Sequence, residues 1–333
     1  MIFDKHHLRM NMIRKLVSII TPCYNGEKFI KQYAETVLSL NYERLELIFV
    51  NDGSSDNTKE KIMHYSKKFL ERGIVFKYLE KSNGGAASAV QMALDFVEGE
   101  YIILYDIDDI LFENAISSKF NFLEEHREYG MVRSNGIVIM EDDDRDSGNI
   151  FISNSEEKRN EFIFDSLVFG MTNNWPGSYM IRTEAFIEAN QGTNIYLSQY
   201  GQNLQMMLPV AYKYKCGFID EIQMKYIVYK NSHSHSIKGG TQNDLRLLLG
   251  YIENRKEIIK PLVGDKYEWY CEEIDMHFAQ DLCLLGYITR NKTVYGPSFR
   301  KLCRSGKLSI KEIIHCLFLF NPALDKIFHN IRR

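Results

Sequence analysis

No stretch of this 333-residue chain approaches the roughly 20 consecutive apolar residues that a bilayer-spanning helix needs. The N-terminal MIFDKHHLRMNMIRK also lacks the apolar core of a secretory signal. The chain is therefore expected to be cytoplasmic, or to lie peripherally on the inner face of the cell membrane. Its six cysteines (Cys23, Cys216, Cys271, Cys283, Cys303, Cys316) form no C-x-x-C pair and no zinc spacing, which fits reduced thiols. Net charge is scarce as well, at −3, and by itself argues for no particular partner. That average hides an asymmetry. Residues 290–333 hold ten Lys and Arg against Glu312 and Asp325, a local net of +8, so the remainder carries about −11. A basic end on an acidic protein suggests an anionic surface, of which membrane is one candidate. Two nucleotide-binding signatures are absent: the turn after the first expected strand reads TPCYNG rather than G-x-G-x-x-G, and there is no Walker A loop. An Asp-nucleophile phosphatase would be expected to carry Asp-x-Asp after its first strand, whereas here it follows the fourth.

What is present is an alternation. Residues 16–21 (LVSIIT), 45–50 (LELIFV), 74–79 and 101–105 read as strands, and 27–40, 58–72 and 86–97 as helices. This order predicts an α/β fold, a mostly parallel central sheet with helices on both faces. In such sheets ligands bind beyond the carboxyl ends of the strands. Three polar motifs stand at three of those ends: Thr21-Pro22-Cys23-Tyr24-Asn25, Asn51-Asp52-Gly53, and Asp106-Ile107-Asp108-Asp109. An apolar strand that ends in carboxylates calls for a cation, and hard divalent metals favour oxygen ligands. The alternative is a polar turn leading to a helix cap.

VSIITPCYNGEKFI, ELIFVNDGSSDNT, NGG before a helix and GEYIILYDIDD together resemble the family 2 glycosyltransferases with the GT-A fold. The match is close over residues 16–112 and looser to about 237. The resemblance implies a bacterial surface-polysaccharide type of enzyme, a hexosyl- or N-acetylhexosaminyl-transferase. Its donor would be a nucleotide-diphosphate sugar, most simply a UDP-sugar, and its cofactor Mn²⁺ or Mg²⁺. Base and ribose would lie against Thr21, Pro22, Tyr24, Asn25 and Asp52, with Asp52 accepting the imide N–H of uracil. Gly84 and Gly85 would let the backbone approach the donor. Asp106 and Asp108 match the family's D-x-D at the metal, and Asp109 would lie closer to the donor sugar. Where the family often continues Ala-Arg-Asn, this chain has Ala89-Val90-Gln91, so any contact from that Arg is missing.

In the second half the family places a Glu-Asp pair at a helix start, its Asp serving as general base. Here Gln202-Asn203 occupy that place, and amides cannot accept a proton as a base. Another carboxylate (Asp165, Glu184, Asp220 or Glu221), an orienting role for the two amides, or loss of activity each remain open. His233, in Ser232-His233-Ser234-His235-Ser236, stands where a His completes the metal site in related enzymes. Trp175 is placed to stack on a sugar or to fill the core. Residues 141–146 (EDDDRD) read as a solvated loop. From residue 241 onward the chain reads as helical, over 245–260, 267–289, 310–320 and 323–331. The 310–320 segment is very apolar and, with the surrounding +8 charge, is suited to a membrane interface or to packing on the catalytic domain.

The expected organisation is an N-terminal extension (1–15), a GT-A domain (16–238, with a nucleotide-binding half 16–112 and an acceptor half 113–238) and a helical C-terminal extension (239–333). The expected reaction is metal-dependent, inverting transfer to a glycan or polyprenyl-diphosphate-linked acceptor, with no nucleic-acid partner. The alternatives are a protein or lipid-core acceptor, or a non-catalytic binding homologue.

Overall fold

The computed structural model describes residues 12–141, 148–173, 175–229 and 241–321. The chain divides into two compact units, Met1–Tyr229 and Lys230–Arg333. In the first, β1 (Ile13–Cys23), β2 (Leu45–Asn51), β3 (Val75–Glu80) and β4 (Gly99–Leu104) alternate with α1 (Ile30–Ser39), α2 (Thr58–Glu71) and α3 (Ala86–Leu94). The four strands are parallel in the order β3-β2-β1-β4. β1 outruns the expected stop at Pro22: Pro22 pairs with Val50 of β2, beyond the last β1–β4 pair at Ile20 and Leu104. A missing N–H is tolerated where the ladder to one neighbour has ended.

The other half of the sheet is mixed rather than parallel. β8 (Tyr179–Arg182) is antiparallel to β4 and to β6 (Tyr129–Met140). β9 (Lys215–Val228) runs parallel to β6, and β5 (Ile110–Leu111) pairs antiparallel with β9. A short β7 (Asn149–Ile150) pairs off the path with β6. Helices α4 (Ala115–Glu125), α5 (Ser155–Arg159), α6 (Phe164–Val168), α7 (Thr183–Ala189) and α8 (Asn203–Lys213) complete the unit. With β1 on one side and β8 on the other, β4 is central, and its Tyr101–Leu104 run is buried on both faces. That explains why it reads as continuous apolar sequence without alternation.

Among the described residues two cations, Lys119 and Arg133, are buried in this unit. Lys119 on α4 is fully buried, its Nζ donating to the Ala115 carbonyl (3.1 Å) and to Gln223 Oε1 on β9 (2.7 Å). Burial pulls its pKa down from 10.5 to about 7, against the opposing charge of Glu221. Between those two values the unfolded chain binds a proton that the folded chain does not, so stability rises with pH across that window. Lys119→Met is expected to flatten this rise by up to about 1.4 kcal/mol per pH unit. Thermal melts from pH 6.5 to 9 test it; equal slopes in parent and variant would assign the pH response elsewhere.

The second unit is helical: α9 (Gln242–Val263), a 3₁₀ turn (Gly264–Lys266), α10 (Tyr267–His277), α11 (Ala279–Ile288), α12 (Lys292–Ser305) and α13 (Ile310–Phe320). Capping boxes start α9 (Thr241 with Asp244) and α13 (Ser309 with Glu312), as their Thr/Ser-x-x-acid spacing allows. Ala279, Cys283, Tyr295, Leu302 and Leu319 form its core. Asp275 on α10 receives Lys256 from α9 and Lys301 from α12, at 2.5 and 2.8 Å. The single helix expected over 267–289 is two, jointed at Phe278, which keeps its i→i−4 bonds to Ile274 and Leu282. No Pro or Gly marks that joint. Conversely, Gly296-Pro297 lies inside α12 and conceals it in the sequence. The helix expected over 323–331, most of the acidic 141–146 loop, Asn174 and His233 lie outside the described residues.

Candidate active site

The carboxyl ends of β1 and β2 finish level, Cys23 beside Asn51, and the Asp52 amide donates to the Cys23 carbonyl at 2.8 Å. Beyond them the two loops are laced together. Asn25 adopts a left-handed φ of 50°, which a short polar side chain tolerates. Its Oδ1 accepts from the Ser55 amide (2.8 Å), and its own amide donates to Ser54 Oγ (2.9 Å). The Glu27 amide donates to Asp56 Oδ2 at 3.0 Å. Gly53 is required here: φ is +74°, and a Cβ would stand 2.7 Å from the Asn83 nitrogen.

Asp52 is buried beneath this edge. Its Oδ1 accepts from Lys81 Nζ (2.8 Å) and the Gly84 amide (3.0 Å), and its Oδ2 from the Gly85 amide (2.8 Å). The carboxylate expected to meet a base thus already anchors the Gly84-Gly85 turn, whose amides point at Asp52. Lys81 was not singled out from sequence; its only signal is a cation three residues ahead of the glycine pair. Thr21 is fully buried with its hydroxyl 2.6 Å from Tyr33 OH. Pro22 is half-buried, whereas Tyr24 is 55% exposed at the same edge.

The three acids follow β4 directly, the Tyr105 amide continuing the ladder to the Ile20 carbonyl. Burial, then the neighbouring Asp108 charge, lifts the Asp106 pKa from 3.8 to about 8, against a hydrogen bond from Gln202. Burial also raises Asp108, opposed by Lys28, and pushes Asp109 well above the carboxylate range with help from both neighbours. Asp109 is only 1% exposed; its Oδ1 accepts from the Ile227 amide on β9 (3.1 Å). Tyr105 OH donates to the Asp109 carbonyl (2.9 Å), and Tyr229 OH to the Asp108 carbonyl (3.3 Å). The turn is therefore pinned to β9 and the core, with Asp109 supporting it from beneath.

Does this set suit a divalent cation? Asp109 Oδ2 is buried without a partner, and three clustered carboxyls all have raised pKa values. Lys28 is the one cation among the described residues that acts on the cluster, through Asp108, and both features fit a further, hard cation. Among the described residues no group of three or more His, Cys, Asp or Glu is arranged to hold a metal by itself. Mg²⁺-like ions seldom need such a cage, because they are held by one or two carboxylates together with substrate phosphates and water.

Gln202 and Asn203 arrive at the same place from the second half. Gln202 immediately precedes α8, and its Nε2 donates to Asp106 Oδ1 and Oδ2 at 3.3 and 3.5 Å, across 96 residues of sequence. Asn203 Oδ1 accepts from Tyr179 OH at 3.1 Å. The segment before them crosses the glycine turn: Gln199 Nε2 donates to the Gly84 carbonyl (3.3 Å), and Gln91 Oε1 accepts from the Ile195 amide (2.7 Å). Gln91, standing in the Ala89-Val90-Gln91 run, thus holds this segment. Trp175 stacks on Tyr226 (4.8 Å, 10°) and meets Phe151 edge-on (4.2 Å), so one of its faces is taken. Of the candidate bases, Asp220 is bonded to Lys158 and Asn135, and Lys158 first of all pulls its pKa down. Glu221 accepts from Asn114 and Gln223. Asp165 and Glu184 lie in the first turns of α6 and α7.

The chain is similar over 98% of its length to an uncharacterized glycosyltransferase, RT0329, of Rickettsia typhi, at 24% identity and covering 99% of that protein. A shorter stretch, 33% of this chain, is 35% identical to 12% of the minor teichoic acid biosynthesis protein GgaB of Bacillus subtilis. Among solved structures, S. aureus TarS 1-349 in complex with UDP-GlcNAc superposes with a TM-score of 0.53 at 17% identity, over 88% of this chain and 92% of that one. This likeness and the mixed sheet identify the fold as GT-A, here accompanied by a helical C-terminal region. Residues 18–189, just over half of the chain, match the family described as Glycosyl transferase family 2, and the chain is a glycosyltransferase belonging to that family.

Proposed function

We propose that this protein transfers a sugar from a nucleotide-diphosphate donor, in the first instance a UDP-sugar, to a hydroxyl of a surface-glycan acceptor, with inversion and with the help of Mn²⁺ or Mg²⁺. The observation that carries this reading is the Asp106-Asp108-Asp109 turn, whose carboxyls are raised by burial, with neighbouring acids adding to it at Asp106 and Asp109, and whose Asp106 is bonded by Gln202. Asp106 and Asp108 would hold the cation. Once bound, it would act as a Lewis acid, neutralising charge on the departing diphosphate. Asp109, fixed from β9, keeps the turn in shape.

At the other end of the edge, Tyr24 offers an open ring and Asn25 a rigid backbone to the nucleoside. Asp52 orders the Gly84-Gly85 turn under it. Gln202 and Asn203 orient the acceptor and are not its base, since an amide does not take up the proton. Binding of UDP-GlcNAc by TarS supports the donor class, and the similarity to GgaB supports an acceptor among surface polymers. The Gln202-Asn203 substitution also favours a second reading, a homologue that binds without turnover.

UDP with Mn²⁺ is expected to raise the melting temperature most among UDP, GDP, CMP and dTDP. At about 100 times its Kd the stabilisation should be roughly 2.7 kcal/mol. No metal-dependent shift with any nucleotide would sink the donor assignment. A shift without transfer or donor hydrolysis above a metal-free control would select the binding homologue.

A further inference from the structure

α13 has two apolar sides, and the helical unit uses one of them. Leu319 enters the core with Tyr295 and Leu302, Tyr295 OH donates to the Glu312 carbonyl, and His315 stacks on Tyr287 at 4.0 Å. At 3.6 residues per turn, Ile310, Ile313, Ile314, Leu317 and Phe320 fall on the opposite side, in one arc of roughly 120°. Each of the five is between 42 and 76% exposed. Large apolar side chains scattered singly over a surface are ordinary, whereas a contiguous set marks an interaction site.

The exposed charges of α12, α13 and the turn between them are all positive. Lys311 on α13, Lys307 just before it, and Arg304 and Arg300 on α12 are all exposed, and Lys292 Nζ lies 5.3 Å from the Phe320 ring. Glu312, the one acid from 290 to 321, is buried and spent on capping α13 through Ser309.

We propose that the outer face of α13 is a membrane-docking surface for an anionic lipid leaflet, with the five apolar side chains in the headgroup–acyl boundary and the surrounding cations against lipid phosphates. An amphipathic helix with Lys and Arg beside an apolar face binds in this way, and apolar burial and charge act together. Charge also decides against a second copy as the occupant. An isologous pair of α13 faces would bring Lys307 and Lys311 towards their own counterparts, with no exposed acid on α12, α13 or the turn between them to offset the charge. The contact is lateral: α13 has 11 residues, and no helix among the described residues is long and apolar enough to cross a membrane.

The test uses the full chain and vesicle co-sedimentation, and needs no catalytic activity. Vesicles of phosphatidylcholine with about 30 mol% phosphatidylglycerol should retain the protein at least about tenfold more strongly than phosphatidylcholine alone. Salt at about 0.5 M should remove most of that advantage. The double variant Ile313→Ser/Leu317→Ser should lose about tenfold or more in binding to anionic vesicles. Its melting temperature should stay unchanged, because both side chains lie outside the core. Retention that is equal in the variant, or absent from anionic vesicles, would overturn the proposal. So would self-association of the parent in solution that the double variant abolishes, which would give the face to a second copy.

Discussion

Replacing Asp108 with alanine is expected to lower kcat/KM for sugar transfer by about a thousand-fold, while the protein stays folded. The number follows from the work assigned to the cation. Charge stabilisation on a leaving diphosphate contributes several kcal/mol, and about 4 kcal/mol corresponds to three powers of ten. The fold should survive because Asp108 opposes it in the absence of metal: burial raises its pKa more than its own backbone amide and the Lys28 charge lower it. The turn is held instead by main-chain contacts, Tyr229 OH to the Asp108 carbonyl and Tyr105 OH to the Asp109 carbonyl, which alanine leaves in place. Two measurements check this together. Titration with UDP and Mn²⁺ should show that metal-dependent binding is lost, and a melt should show an unchanged or higher midpoint. A variant that still binds donor normally with Mn²⁺ would remove Asp108 from the metal site.

Asp106→Asn is expected to stabilise the metal-free protein at pH 8 by about 2–4 kcal/mol and to abolish its stabilisation by Mn²⁺. The sign follows from the raised pKa. Asp106 titrates near 8 in the folded chain against 3.8 ordinarily, so between these values the folded state holds a proton that the unfolded state has released. Its contribution to stability is complete below about pH 4 and is lost as pH rises towards 8, at no more than about 1.4 kcal/mol per unit. A divalent cation displaces that proton, so added Mn²⁺ should help most at the alkaline end. Asparagine removes the charge while keeping a carbonyl that can accept from Gln202. Calorimetry of parent and variant from pH 5 to 8, with and without Mn²⁺, isolates the effect from other titrating groups. The idea fails if the metal-free variant is no more stable than its parent at pH 8.

The alternation of strands and helices was legible because the apolar residues of β1, β2 and β4 must be apolar to sit inside a two-sided sheet. The three polar motifs at strand ends were legible for the complementary reason, since nothing in an apolar core accounts for them. The match of Gln202-Asn203 to a helix start could also be read, because the polar pair precedes the apolar periodicity of α8. Side-chain direction was not legible. Thr21 and Asp52 stand in motifs that suggest a ligand, yet Thr21 bonds Tyr33 and Asp52 binds the Gly84 and Gly85 amides, partners 12 and 32–33 residues away. Nor could sequence show that Trp175 has one face taken by Tyr226, or that the helix expected over 267–289 is interrupted at Phe278.

The chain's own order of residues thus determined the family, the strand ends where chemistry gathers and the carboxylates present there, because these depend on local apolar pattern and on residue type. Only the tertiary structure decided which of those polar groups are already satisfied, that Gln202 reaches Asp106, and that one face of α13 stays uncovered. Each of those outcomes depends on what a distant segment places against a side chain. Hydrogen-bond satisfaction and burial are properties of the pair in contact, and neither partner's sequence carries them alone.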